Sequence, residues 1–223
     1  MDVIDALLDS IRRADREQAN ALLDDWGAEH GYERLLTEVL EPTLVLIGEQ
    51  WRSFESFSLA QAYMAAKITE DTLLKIAERT AKSSVAMPHK GPVVIGNIEE
   101  DFHALGRKML GTFLGAEGWL VHDLGNDVLP EMFVDKALEV GARVIGVSAM
   151  MLTTAHNIRR VREEIDRRGL TGRIQLAVGG AVFLVMPGLM EEVGGDGTAA
   201  NAIEAVQLFE RLWTDSLTAE AGP

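Results

Sequence analysis

Pro92-Val93-Val94-Ile95-Gly96-Asn97-Ile98-Glu99-Glu100-Asp101-Phe102-His103-Ala104-Leu105-Gly106 decides the fold. The apolar run Val93–Gly96, bounded by Gly91-Pro92 and Glu99-Glu100, reads as a buried strand. Asp101 to Gly106 then lies on the loop leaving its carboxyl end, and Gly106 starts the next helix without a side chain in the way. Ligands of open parallel sheets bind at that edge. An imidazole placed there beside a carboxylate suits a metal ligand. The carboxylate takes the N–H of one ring nitrogen and leaves the other free for a metal. Taken alone, His103 could equally be a solvated loop histidine. The surrounding sequence has to decide.

After this stretch, strands and helices alternate. Strands are expected over Val93–Asn97, Leu120–Asp123, Arg143–Ser148 and Ile174–Val178, with a short fifth near Thr198. Helices are expected over Gly106–Gly118, Pro130–Val140, Thr154–Arg168, Met186–Val193 and Ala200–Trp213, with a frayed tail after Trp213. Short connections between five such units imply an α/β doubly wound sheet, five-stranded, parallel and flavodoxin-like (Rossmann-like).

Residues 1–82 carry helical periodicity instead. Val3, Leu7, Leu8 and Ile11 share one face of a first helix. Ala19, Leu22, Leu23 and Trp26 mark a second, ended by Gly27 or Gly31. Leu35 to Ile47 makes a third, which Pro42 should kink or split. Leu59–Lys82 makes a fourth, with Tyr63, Met64, Ile68, Leu73 and Ile76 facing inward. This predicts a helical-bundle domain over 1–82, a linker over 83–92 rich in Pro and Gly, an α/β domain over 93–215 and a tail over 216–223.

The composition narrows the function classes. The 223 residues are 47% hydrophobic, enough for packed cores. A net charge of −14 argues against nucleic acid or an anionic membrane surface as partner. Without cysteine there are no disulfides, thiolate zinc sites or cysteine-ligated iron–sulfur clusters. The acidic start and the lack of a bilayer-length apolar run predict a cytoplasmic protein with no membrane contact.

Every strand ends in residues suited to a ligand: Asp101, His103 and Gly106, then Asp123 to Asp127, then Ser148 to Thr154, then Gly179-Gly180-Ala181, then Gly194 to Thr198. Turn chemistry and helix capping explain any one of these groups. All of them together, in this order, are harder to assign to turns.

Asp101-x-His103-x-x-Gly106, Ser148 with Thr154, and Gly179-Gly180 resemble the motifs of corrinoid (cobalamin-binding) proteins of methyltransferase systems, with the cobalamin-binding domain of methionine synthase a more distant relative. The resemblance covers nearly the whole chain. It implies a helical cap followed by a cobalamin-binding domain. The cofactor would be cobalamin or a related corrinoid (methylcobalamin or hydroxocobalamin), bound base-off/His-on with His103 as the cobalt ligand. Asp101 and Thr154 would continue a hydrogen-bonded chain below it. Phe102, Ala104, Leu105, Met150, Thr153, Ala181, Asp196, Gly197 and Thr198 would line the cofactor's seat and tail slot, with Ser148 on the buried benzimidazole nitrogen. Trp51, Phe54, Phe57, Tyr63 and Met64 are bundle-core residues or, for one or two of them, cover for the upper face.

The function so implied is a methyl carrier, not catalytic alone. It would be served by a substrate-specific methyltransferase, an acceptor methyltransferase (pterin or thiol) and a reductive activator. The methyl donor is not legible, because the partner recognises it. Alternatives are a cobalamin-dependent sensor, the small subunit of an adenosylcobalamin mutase, and a flavodoxin-like domain without cobalt. The sensor lacks a photoreceptor Glu-His near Gln61 and Ala62, the mutase subunit lacks this cap, and the last leaves His103 unexplained. Three departures from the family pattern stand out: Glu100 where Gly is usual, Arg107 for Lys, and Met150-Met151 for Leu.

Overall fold

The computed structural model describes residues 2–52, 58–83 and 90–221. The chain divides into two compact units, Met1–Ser83 and Ser84–Pro223. Most of the expected linker lies outside the described residues, as do Phe54, Phe57 and the side chain of Trp51.

The first unit is helical: α1 (Val3–Arg12), α2 (Arg16–His30), a short α3 (Tyr32–Arg34), a π-helical stretch (Leu35–Leu40), α4 (Glu41–Arg52) and α5 (Leu59–Ser83). Leu7, Leu8, Ile11, Leu23, Leu35, Leu40, Ile47, Ile68, Leu73 and Ile76 form its buried interior. Asp15 caps α2 by accepting the Gln18 N–H. Gly31, at φ 95°, ends that helix; Gly27 stays inside it, where a Cβ would meet the Tyr32 ring at 2.7 Å. Asp71 of α5 takes both a bidentate Arg16 and Asn20, binding α5 to α2. The expected break at Pro42 is a change of winding. The helix widens to π geometry just before the proline, relieving the crowding its ring imposes on the preceding turn. One inward assignment fails: Tyr63 is 62% exposed, its ring lying beneath Lys67 Nζ. Met64 is half-buried.

The second unit is a five-stranded parallel sheet in the order β2-β1-β3-β4-β5, from β1 (Pro92–Asn97), β2 (Leu120–Asp123), β3 (Val144–Ser148), β4 (Gln175–Gly179) and β5 (Gly197–Thr198). Helices cover both faces, as a parallel sheet requires. On one face α7 (Pro130–Val140) and α9 (Ile158–Arg167) bury Phe133, Val134, Ile158, Val161 and Ile165. On the other, α6 (Leu105–Ala116) and α12 (Ala202–Ala221) bury Leu114, Val206, Leu208, Phe209 and Leu212. Two strand glycines permit this close approach. A Cβ on Gly96 would lie 2.6 Å from Phe133, and one on Gly146 would lie 2.7 Å from Phe209.

Three helices differ from expectation. Thr154–Arg168 is broken into α8 (Leu152–Ala155) and α9, so that Thr154 faces a buried carboxylate while Ile158, Val161 and Ile165 face the sheet. Met186–Val193 is shortened to α11 (Leu189–Glu192), and an additional helix, α10 (Ala181–Val185), precedes it; Pro187 cannot continue a helix and Gly188 turns at φ 86° between the two. The last helix is not frayed after Trp213 but runs to Ala221, with Ser216 fully buried.

Candidate functional site

The strand order reverses direction between β1 and β3, so the loops leaving those neighbours diverge and open a crevice at the carboxyl edge. Asn97, Ser148 and Gly179 are in register across β1, β3 and β4 and form its floor. The Asp101 loop rises from β1. Its turn is closed by Asp101 N–H donating to the Ile98 carbonyl oxygen. Asp127 clasps it from the side, accepting the Glu100 N–H at Oδ1 (2.8 Å) and donating its own N–H to the Asp101 carbonyl oxygen (3.2 Å).

Asp101 is the centre of the site and is only 1% exposed. Its Oδ1 accepts from Asn97 Nδ2 (2.8 Å) and from the His103 N–H (2.9 Å). Its Oδ2 accepts from the Met150 N–H (2.8 Å) and from Thr154 Oγ1 (3.0 Å), a hydroxyl that also lies 3.0 Å from the Met151 carbonyl oxygen. Burial works against the charge of this carboxylate. The hydrogen bonds from Met150, His103, Asn97 and Thr154 outweigh it and hold the pKa below the ordinary aspartate value. A buried anion with four donors is a fixed negative charge.

The His103 ring lies beside that charge, Nδ1 3.4 Å from Asp101 Oδ1, with its side chain 48% exposed. The β1 loop and α8 thus bring His103, Asp101 and Thr154 together, Thr154 joined to Asp101 by a hydrogen bond and the His103 ring lying beside the carboxylate. Phe102, Met150, Met151 and Leu152 are exposed on the same loops. Ala104 and Leu105 are partly buried at the start of α6.

The paired glycines differ in what they do. A Cβ on Gly180 (φ 115°) would stand 2.0 Å from the Ala149 carbonyl oxygen, so the backbone itself requires glycine there. A Cβ on Gly179 or on Gly106 would meet nothing within 4 Å, so these two leave open space. The Ser148 hydroxyl makes no hydrogen bond among the described residues. Thr153, Ala181 and Thr198 are exposed. Asp196 and Gly197 are committed to the protein rather than turned to a ligand. Asp196 Oδ2 accepts the Leu176 N–H and pairs with Arg162, and a Cβ on Gly197 would press on Leu208 at 2.5 Å.

Sequence reasoning missed Asn97, whose amide joins Asp101 to Arg107. An asparagine at a strand end signals only a turn. Nothing in the linear pattern links it to a residue ten places on.

A model of the B12-binding domain family matches residues 91–207, and the chain belongs to that family. The dimethylamine corrinoid protein 2 of Methanosarcina mazei is 38% identical over 139 residues, 62% of this chain and 64% of that protein, so the chain spans just under two thirds of that relative. A corrinoid protein of Desulfitobacterium hafniense is 33% identical over 168 residues, 75% of this chain and 76% of that one. Among solved structures, the Methanosarcina barkeri monomethylamine corrinoid protein superimposes with a TM-score of 0.77 at 25% identity, over 92% of this chain and 96% of that chain. A chain of the methanol:cobalamin methyltransferase complex of the same organism gives 0.52 at 20% identity, over 95% and 80% of the two chains, a likeness of fold. The cofactor is cobalamin or a related corrinoid.

The residues fit such a group. Among the described residues no three His, Asp or Glu side chains converge on a metal. A lone imidazole suits a metal whose other positions a macrocycle fills. The exposed apolar side chains of Phe102, Met150, Met151 and Leu152 suit a broad apolar ring system. The open space beside Gly106 and Gly179 and the unpartnered Ser148 hydroxyl suit a polar tail entering the crevice.

Proposed function

We propose that the chain is a methyl carrier that holds its corrinoid base-off, with His103 as the lower axial ligand. The carrying observation is the buried, four-fold hydrogen-bonded Asp101 carboxylate beside the half-exposed His103 ring. When bound, the corrinoid supplies a cobalt centre that accepts and gives up a methyl group.

The remaining work falls to the chain. Asp101 Oδ1 draws the imidazole proton to Nδ1, so Nε2 keeps the lone pair that a metal needs. Thr154 and the Met150 N–H hold Asp101 Oδ2, which keeps Oδ1 turned to the ring. Gly106 and Gly179 would leave room for the cofactor's nucleotide tail, and Ser148 would hydrogen-bond its base nitrogen. Thr153, Ala181 and Thr198 line the mouth of the slot. Residues 1–82 would serve as the cap that the family resemblance implies, with Tyr63 and Met64 among its candidate shields.

The partners are a substrate-specific methyltransferase, an acceptor methyltransferase of pterin or thiol type, and a reductive activator. The relatives named for dimethylamine and monomethylamine support a methylated small molecule as donor. The proposed location is the cytoplasm. Among the described residues no helix is long and apolar enough to cross a membrane.

Reconstitution with hydroxocobalamin tests the ligand assignment. His103→Ala is expected to bind with an altered visible spectrum and on the order of 10- to 100-fold weaker affinity. An unchanged spectrum would remove His103 from the cobalt. Methyl transfer in mixtures with candidate methyltransferases tests the carrier role.

A further inference from the structure

Asn97 is fully buried at the end of β1. Its carboxamide is used at both ends. Oδ1 accepts from Arg107 Nε at 2.7 Å, and Nδ2 donates to Asp101 Oδ1 at 2.8 Å and to the His103 carbonyl oxygen at 3.2 Å. A guanidinium has only donors, so Arg107 can face only the oxygen of the amide. The N–H2 end must then face Asp101 and His103. Arg107 is itself buried and held from the β2 side, where it pairs with Asp123 and donates to Asn126 Oδ1. Its planar fork therefore locks the amide, and the amide brackets both members of the Asp101–His103 pair.

We propose that Asn97, oriented by Arg107, is a positioning residue for the lower ligand. It fixes which carboxylate oxygen faces the His103 ring and how high the His103 backbone stands, and so how well the imidazole coordinates. The inference rests on His103 being that ligand. Oδ1 is both the oxygen 3.4 Å from His103 Nδ1 and the one that receives the Asn97 N–H. Neither Asn97 nor Arg107 reaches the ring itself. They act through Asp101 and the His103 carbonyl group.

The test uses the full chain grown with histidine labelled with heavy nitrogen, loaded with cob(II)alamin and read by electron paramagnetic resonance, beside hydroxocobalamin titrations. In the wild type the nitrogen splitting on cobalt changes with the label. In Asn97→Ala the histidine-derived splitting is weakened or lost and hydroxocobalamin affinity falls about tenfold. Asn97→Ser restores part of both, because a hydroxyl can accept from Arg107 and donate to Asp101. Arg107→Lys keeps the charge but loses the fork, and behaves like Asn97→Ala. Where Asn97→Ala does not fold, Asn97→Ser and Arg107→Lys carry the comparison. Variants that keep a native circular dichroism spectrum together with the wild-type splitting and affinity overturn the positioning role alone. A wild-type spectrum indifferent to the label overturns the ligand assignment, and the inference with it.

Discussion

Glu100 and Asp127 both hold positive φ, 66° and 55°, without being glycine, and they are hydrogen-bonded to one another across the base of the His103 loop. Left-handed backbone costs an L-residue roughly 1–2 kcal/mol. The loop thus keeps a glycine-like shape at the position where the sequence departs from the family's Gly. Glu100→Gly is expected to stabilise the apo protein by about 1 kcal/mol, read from a denaturant midpoint, with hydroxocobalamin binding unchanged. Asp101 behaves oppositely. Its folded pKa lies below the unfolded value of about 3.9, so its stabilisation is fully present above that pH and fades as pH falls through the folded value. Asp101→Asn should therefore cost on the order of 2 kcal/mol at neutral pH, and the gap between variant and wild type should close in acid. A gap that stays constant across an acid titration of stability would show that the charge is not what the donors hold. His103, Asp101 and Thr154 were legible because a motif fixes their spacing. Asn97 was not, because its role exists only once a helix carries Arg107 back over the end of β1.

At the scale of elements, periodicity located the strands closely, since the buried strands β1, β3 and β4 are near-continuous apolar runs. β2 and α7 begin and end where the pattern predicts. It failed where local chemistry overrides the period: the π-helical turn before Pro42, the break that gives α8 to the site, and the Pro187-Gly188 corner. The strand-end glycines were legible as a group but not in their separate duties. The contacts separate them. Gly180→Ala drives a Cβ into the Ala149 carbonyl oxygen at a left-handed φ, and should cost ~3 kcal/mol of apo stability. Gly106→Ala lies in α6 with nothing within 4 Å, so it should gain roughly 0.5–1 kcal/mol of helix stability while weakening hydroxocobalamin binding. Thermal melts of both apo variants beside cofactor titrations check the contrast. If Gly106→Ala binds as tightly as wild type, the space beside it is not part of the seat.

At the scale of the whole molecule, the residues around His103 are self-sufficient within one unit. Every residue that shapes the lower site, from Asn97 to Thr198, belongs to the Ser84–Pro223 unit. That unit covers both faces of its sheet with its own helices and buries Phe133 on one side and Phe209 on the other. The first unit has its own interior around Leu7, Leu23, Leu35 and Ile68. A sheet buried on both faces within one unit has the core needed for independent folding. Residues 84–223 produced alone should therefore melt cooperatively and bind hydroxocobalamin with the same histidine-ligated spectrum as the full chain. The cap should matter elsewhere, in slowing access of solutes to the upper face. Faster reaction of the bound cobalt with a small alkylating agent in the isolated unit than in the full chain would be the sign of that shielding. Equal rates would leave residues 1–82 without the covering role assigned to them.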